Sequence, residues 1–194
     1  MNKWDKIYSE GGNFKPLNEI FLDRLLSDIE KLSDQKPKTA IDLGCGTGDA
    51  LIKLARHGLT VTGIDSSEVA INQAKELFKE QNHETASIAV GNLETMTATG
   101  IFDIVLCKLV YAFVENKEKF LNLVKESMGE KSFFILITPV LYKNMDYSPA
   151  DKPGIAVLFD ETNDLLNKLF SKISIFNHDY FADKGDVVTF LLQK

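Results

Sequence analysis

Residues 40–49 read Ala-Ile-Asp-Leu-Gly-Cys-Gly-Thr-Gly-Asp, and no other stretch of the 194-residue chain restricts its fold as much. The apolar run supplies a strand, and Gly44, Gly46 and Gly48 then let the backbone turn where side chains would block an approaching ligand. Residues 50–56 follow with a helical pattern. Asp49 stands where it can cap them, so unpaired N–H groups and a helix dipole face the turn. In open α/β sheets such turns hold ligands outside the carboxyl ends of the strands.

The spacing of the glycines limits what that ligand can be. A dinucleotide fingerprint needs Gly-x-Gly-x-x-Gly, and counting from Gly44 puts Asp49 at the third position, where a carboxylate repels pyrophosphate. A P-loop needs Lys and then Ser or Thr after its last glycine, but Gly48 is followed by Asp49 and Ala50. Downstream, the apolar run 60–64 ends at Asp65, about 20 positions beyond the glycines. Asp65 either accepts both hydroxyls of a ribose, two oxygens on one carboxylate matching a cis-diol, or only caps the next helix. Ser66 and Ser67 open that helix, with Val69, Ala70, Ala74, Leu77 and Phe78 at helical spacing.

Further strand patterns at 87–90, 102–108 and 132–138 continue the alternation. A helix over 115–128 separates the last two, with Phe120, Leu121, Val124 and Met128 inward and Gly129 closing it. Ahead of the first strand, Leu17, Ile20, Phe21, Leu25, Ile29 and Leu32 mark the inner face of another helix. The chain ends with a helical stretch at 165–170 and two strand patterns, 173–176 and 187–192, around turn residues 182–186. The expected fold class is therefore α/β: a doubly wound, mostly parallel seven-stranded sheet with a C-terminal antiparallel hairpin and helices on both faces. At 44% hydrophobic content, residues 1–194 are expected to form a single domain, with 1–35 as an N-terminal helical cap.

Asp42, Gly44, Gly46 and Gly48 together spell acidic-x-Gly-x-Gly-x-Gly at the end of the first strand. On these residues the chain resembles the class I S-adenosylmethionine-dependent methyltransferases, whose seventh strand runs antiparallel between the fifth and sixth. The implied cofactor, S-adenosylmethionine, is a zwitterionic nucleoside with a sulfonium and no phosphate, so the Asp42 and Asp49 carboxylates suit it. The resemblance implies a cofactor site of Asp42, Gly44, Cys45, Gly46 and Gly48 in the turn, with Asp65 and Ser66 at the ribose. Asn92 and Leu93 fall where the family contacts adenine. Asn92 replaces the usual acidic residue, and its amide oxygen either accepts from the adenine amino group or shapes a turn.

By the same resemblance Lys108 offers its backbone carbonyl to the methionyl ammonium. The opening, with Trp4, Tyr8, Phe14 and Lys15, is similar to that of small-molecule methyltransferases. There an aromatic and a basic side chain fold over the methionine end, roles that fall to Tyr8 and Lys15, the latter pairing with the carboxylate. Tyr111 either lines the acceptor site, as the one catalytic candidate, or plugs the core; Trp4 and Tyr142 are the other candidate walls of a substrate pocket. Residues 139–160 exceed a typical connector and predict either a substrate lid or a loop anchored by its aromatics.

A net charge of −6 argues against a broad basic surface for nucleic acid. The Asn/Asp-Pro-Pro-aromatic run shared by methyltransferases of nucleic-acid amino groups is missing after the fourth strand. The amino terminus lacks the apolar core of a signal peptide and no run is long enough to span a bilayer, so a cytoplasmic location is expected. Cys45 and Cys107 have no metal-binding spacing; they are read as free thiols, with an oxidisable pair as the alternative, and no metal is expected. His57 and His83 fall at the sheet edge opposite the turn. The expected activity is methyl transfer to a small-molecule acceptor by in-line displacement, mainly through positioning. The alternatives are a non-catalytic S-adenosylmethionine-binding protein, or a methyltransferase acting on a protein or nucleic acid.

Overall fold

The computed structural model describes residues 2–12, 14–83, 86–143, 155–178 and 186–194. Strands β1 (Thr39–Leu43), β2 (Thr60–Asp65), β3 (Ser87–Val90), β4 (Phe102–Lys108) and β5 (Met128–Leu141) run parallel in the order β3-β2-β1-β4-β5. A two-residue strand, β6 (Val157–Leu158), pairs with the end of β5, and β7 (Lys172–His178) and β8 (Val187–Gln193) complete the sheet. β8 lies antiparallel between β5 and β7, the position expected for the hairpin's second strand. The expected turn residues 182–185 fall outside the described residues.

Period-2 alternation explains why helices cover both faces. Ala40, Val61, Ile104, Leu106, Phe133 and Ile135 point to one side, where α2 (Glu19–Ser33), α3 (Asp49–Arg56) and α4 (Glu68–Glu80) pack. Ile41, Leu43, Val105, Phe134 and Leu136 point to the other, covered by α5 (Lys117–Glu126) and α6 (Phe159–Leu169). The first helix, α1 (Lys3–Ser9), has its Asn2 cap tied to α4: the Asn2 amide donates to the Ser66 carbonyl at 2.6 Å. Chain order reverses between β1 and β4, leaving a crevice at their carboxyl ends. At the opposite edge, Asp103 locks the same two strands by accepting from the Lys38 and Thr39 amides at 2.7 and 2.9 Å.

Several expectations are corrected. α5 stops at Glu126, and Gly129 does not close it but lies inside β5, because buried Met128 pairs with Phe102 and carries the sheet back through the polar residues 129–131. Asp49 does not cap α3; Gly48 is the cap residue, in the left-handed region at φ 86°. The Asp49 carboxylate instead accepts from the Leu17 amide at 2.8 Å and the Lys53 ammonium at 2.7 Å, fastening the entry to α2. Ile20 and Leu32 are 80% and 58% exposed, since Leu22, Leu25, Leu26 and Ile29 form the inner stripe of α2. Of the expected 139–160 lid, the first residues extend β5 and the last form β6 and the start of α6, while 144–154 lie outside the described residues.

Gly63 of β2 shows how closely α3 sits on the sheet: a Cβ there would stand 2.3 Å from Leu51 Cδ1 and 3.0 Å from Cys45 Sγ. Gly63→Ala is expected to destabilise the chain by about 1–3 kcal/mol through overpacking, read as a lower midpoint in urea unfolding.

Candidate ligand and active site

The glycine turn is built by close approaches that a side chain would forbid. Gly44 has φ 86°, and a Cβ on it would lie 2.3 Å from Val110; one on Gly46, at φ 53°, would lie 2.7 Å from the Tyr8 hydroxyl. Gly48 answers a packing need instead, its missing Cβ facing Ala74 of α4 at 3.1 Å. Leu109 also adopts the left-handed region, at φ 62°, which is strained for a branched residue and swings the chain after β4 so that Val110 covers Gly44.

Asp65 holds this geometry. One carboxylate oxygen accepts from the Gly46 amide at 2.9 Å, the other from the Ser67 amide at 2.9 Å, so the end of β2, the turn and the start of α4 are joined at one group. Ser67, not Ser66, caps α4 by accepting from the Ala70 amide at 3.1 Å. The Ser67 hydroxyl itself donates to Asp5 of α1 at 2.8 Å, and that bond chiefly holds the Asp5 carboxyl below its ordinary range.

Above the turn lies a cavity of about 390 Å³. Its floor is Asp42, Gly44, Cys45 and Gly46; Asp65 and Ser66 come from the end of β2, Asn92 and Leu93 from the end of β3, and Lys108 from the end of β4. α1 contributes Trp4 and Tyr8. Four carboxylates, Asp42, Asp49, Asp65 and Glu94, face two lysines, Lys3 and Lys108, and this acidic balance suits a cationic ligand. Burial pushes Asp42 up to about 7, against the nearby Lys108 charge and with help from Asp65 and Asp49. Burial likewise raises Asp65, Tyr8 and Cys45 and lowers Lys108. Asp42 Oδ1 is the one buried side-chain polar atom among the described residues with no hydrogen-bond partner. Asp42 lines the cavity, and a buried carboxyl oxygen left without a partner beside it is a place for a ligand's donor.

Four of the residues read from the sequence do not line this cavity: Gly48, Lys15, Tyr111 and Tyr142. Tyr111 is 1% exposed in a short 3₁₀ turn, with its ring 5.9 Å from Phe120 and the Lys117 ammonium 5.0 Å above it, so it plugs the core. Tyr142 packs on Phe159 at 5.0 Å, on the far face of the sheet. Lys15 offers its backbone carbonyl to the Lys108 ammonium at 2.8 Å. Asn92 shapes a turn, its amide oxygen accepting from the Glu94 N–H at 2.9 Å. Cys45 and Cys107 belong to cores on opposite faces of the sheet, which separates the two free thiols. Among the described residues no three His, Cys, Asp or Glu side chains are grouped to hold a metal ion, and no helix is long and apolar enough to cross a membrane.

One wall residue, Phe113, had no signal of its own in the sequence. Phe113, after β4, meets Trp4 edge-on at 4.6 Å, and Phe14 lies 6.0 Å from Trp4, so three rings from distant positions make one apolar wall. The Lys3 ammonium sits over the Trp4 and Phe113 rings at 5.4 and 5.7 Å.

Residues 34–180 match the model of a family described as a methyltransferase domain. The chain belongs to that family. Among curated proteins it is similar to the ubiquinone biosynthesis O-methyltransferase of Rickettsia felis, 32% identical over 133 residues, which is 64% of this chain and 54% of that protein. The chain thus aligns over about half the length of that relative. Among solved structures it resembles an S-adenosylmethionine-dependent methyltransferase from Clostridium acetobutylicum at a TM-score of 0.72 and 15% identity, covering 98% of this chain and 95% of that one. The [4+2]-cyclase SpnF superposes with a TM-score of 0.69 at 13% identity, covering 89% of this chain and 81% of that one, so the fold also carries chemistry of another kind.

The raised Asp42 gives a pH signature. A carboxyl whose folded pKa lies above its ordinary 3.8 contributes stability that is complete below that value and lost as pH rises towards about 7. Asp42→Asn removes the loss. The variant should match the parent near pH 4 and exceed it near pH 8 by a few kcal/mol, at ~1.4 kcal/mol per pH unit, in denaturant titrations across that range.

Proposed function

We propose that the chain is an S-adenosylmethionine-dependent methyltransferase that passes the methyl group to a small-molecule acceptor by in-line displacement. The carrying observation is an acidic, glycine-lined cavity beside which the Asp42 carboxyl keeps one oxygen without a partner, a place for a cationic donor and a poor one for phosphate. The donor groups fit the cofactor: Asp42 takes its ammonium, and each Asp65 oxygen, already holding one backbone N–H, keeps a lone pair for a ribose hydroxyl. Leu93 and the remaining acceptor capacity of Asn92 lie at the adenine edge, and the Tyr8 ring closes over Gly46.

When bound, the cofactor supplies an activated methyl on sulfur. The chain's own work is to hold the acceptor near contact distance and to exclude water. The wall of Trp4, Phe14 and Phe113 does both for a flat, apolar acceptor, and the name of the relative, a ubiquinone biosynthesis O-methyltransferase, supports a hydroxyl as the methylated group. Tyr111, sealed in the core, has no part in this mechanism. Two buried free thiols fit a reducing compartment, which supports a cytoplasmic location.

The test is transfer of radiolabelled methyl to a panel of small hydroxylated aromatic acceptors, read in the organic extract. Tight binding of S-adenosylhomocysteine with no transfer to any acceptor, small or macromolecular, would leave a cofactor-binding protein. Asp65→Ala is expected to weaken S-adenosylhomocysteine by roughly 10–100-fold in calorimetry, the scale of losing hydrogen bonds to a charged group. Trp4→Ala should raise the acceptor KM several-fold while changing cofactor affinity far less.

A further inference from the structure

Lys108 is a charged side chain at the cavity whose own position the glycine motif does not explain. Asp42 pairs in register with Leu106 across β1 and β4, so Lys108 stands two residues farther along the neighbouring strand on the same face. Each group feels the other's charge, yet among the described residues they form no direct ion pair. One N–H of the Lys108 ammonium goes to the Lys15 carbonyl at 2.8 Å, and an ammonium carries three donors. A carboxylate and an ammonium that line one cavity without touching, the first with an orphaned oxygen, form a receptor for a small zwitterion.

We propose that Asp42 and Lys108 form a charge clamp for the α-amino-acid end of the cofactor, Asp42 taking the ammonium and the Lys108 side chain taking the carboxylate. The role expected of Lys15 thereby passes to Lys108, whose ammonium the Lys15 backbone orients. The clamp makes the site selective for a nucleoside thioether or sulfonium with an intact amino acid, over adenosine or decarboxylated analogues. This inference rests on the cofactor reading above.

Calorimetric titration separates the two. The parent chain is titrated with S-adenosylhomocysteine and with its decarboxylated analogue, which keeps the amine and lacks the carboxylate. Both titrations are repeated with Lys108→Met, Lys108→Arg and Lys15→Met. The parent should prefer the intact ligand by about tenfold or more, the scale of a charge-assisted hydrogen bond. Lys108→Met should lose that preference, Lys108→Arg should recover most of it, and Lys15→Met should keep it. A Lys108→Met chain that retains the full preference, or a Lys15→Met chain that loses it, overturns the clamp. Should Lys108→Met fail to fold, Lys108→Gln takes its place, with the same loss of preference expected and the same retention overturning the clamp. If the parent binds neither ligand, the cofactor reading itself falls.

Discussion

The Asp65 carboxylate is the joint on which the rest of the site depends. Its two oxygens hold the Gly46 and Ser67 amides, so the glycine turn and the start of α4 are fixed relative to β2 by one side chain that is itself 7% exposed. Burial opposes its charge and keeps its carboxyl above the ordinary range, and the two N–H donors offset only part of that cost. Once the turn is fixed, Gly44 can sit under Val110 and Gly46 under the Tyr8 hydroxyl, and the cavity exists because neither glycine carries a Cβ. Electrostatics and steric permission therefore meet at Gly46, whose amide goes to Asp65 and whose missing Cβ leaves room for the Tyr8 hydroxyl.

The sheet was legible because each strand reads as an apolar run between turn residues, and its two faces then follow from period 2. What misled was local context that a distant partner overrides. Gly129 with Glu130 and Lys131 looks like the end of a helix, but the buried Met128 side chain and its pairing with Phe102 draw those residues into β5. Asp49 sits at a good capping position, yet the Leu17 amide, 32 residues earlier, claims its carboxylate. Long-range hydrogen bonds of this kind leave no periodic trace.

The site was legible to the extent that backbone chemistry dictates it. Asp42, Gly44, Gly46 and Asp65 meet at the cavity because the motif is a statement about strand ends and turns. The walls were not: Tyr111 and Phe113 are two residues apart in one short turn, and nothing in their sequence says that the first faces Phe120 and the second Trp4. Lys108 lines the cavity and Lys15 does not for a similar reason, since that depends on how the N-terminal segment lies against the end of β4.

α1 has only seven residues, too few to persist as a helix by itself, and it stays in place through its Asn2–Asp5 capping box, the Asp5–Ser67 bond and the contact between Trp4 and Phe113. Because Trp4 belongs to this helix, the acceptor pocket of the proposed function is whole only in the fraction of molecules where α1 is docked. Every acceptor's apparent affinity is scaled by that fraction. Anything that seats α1 more firmly, including a ligand held against Tyr8, would therefore tighten a molecule bound against Trp4 without touching it.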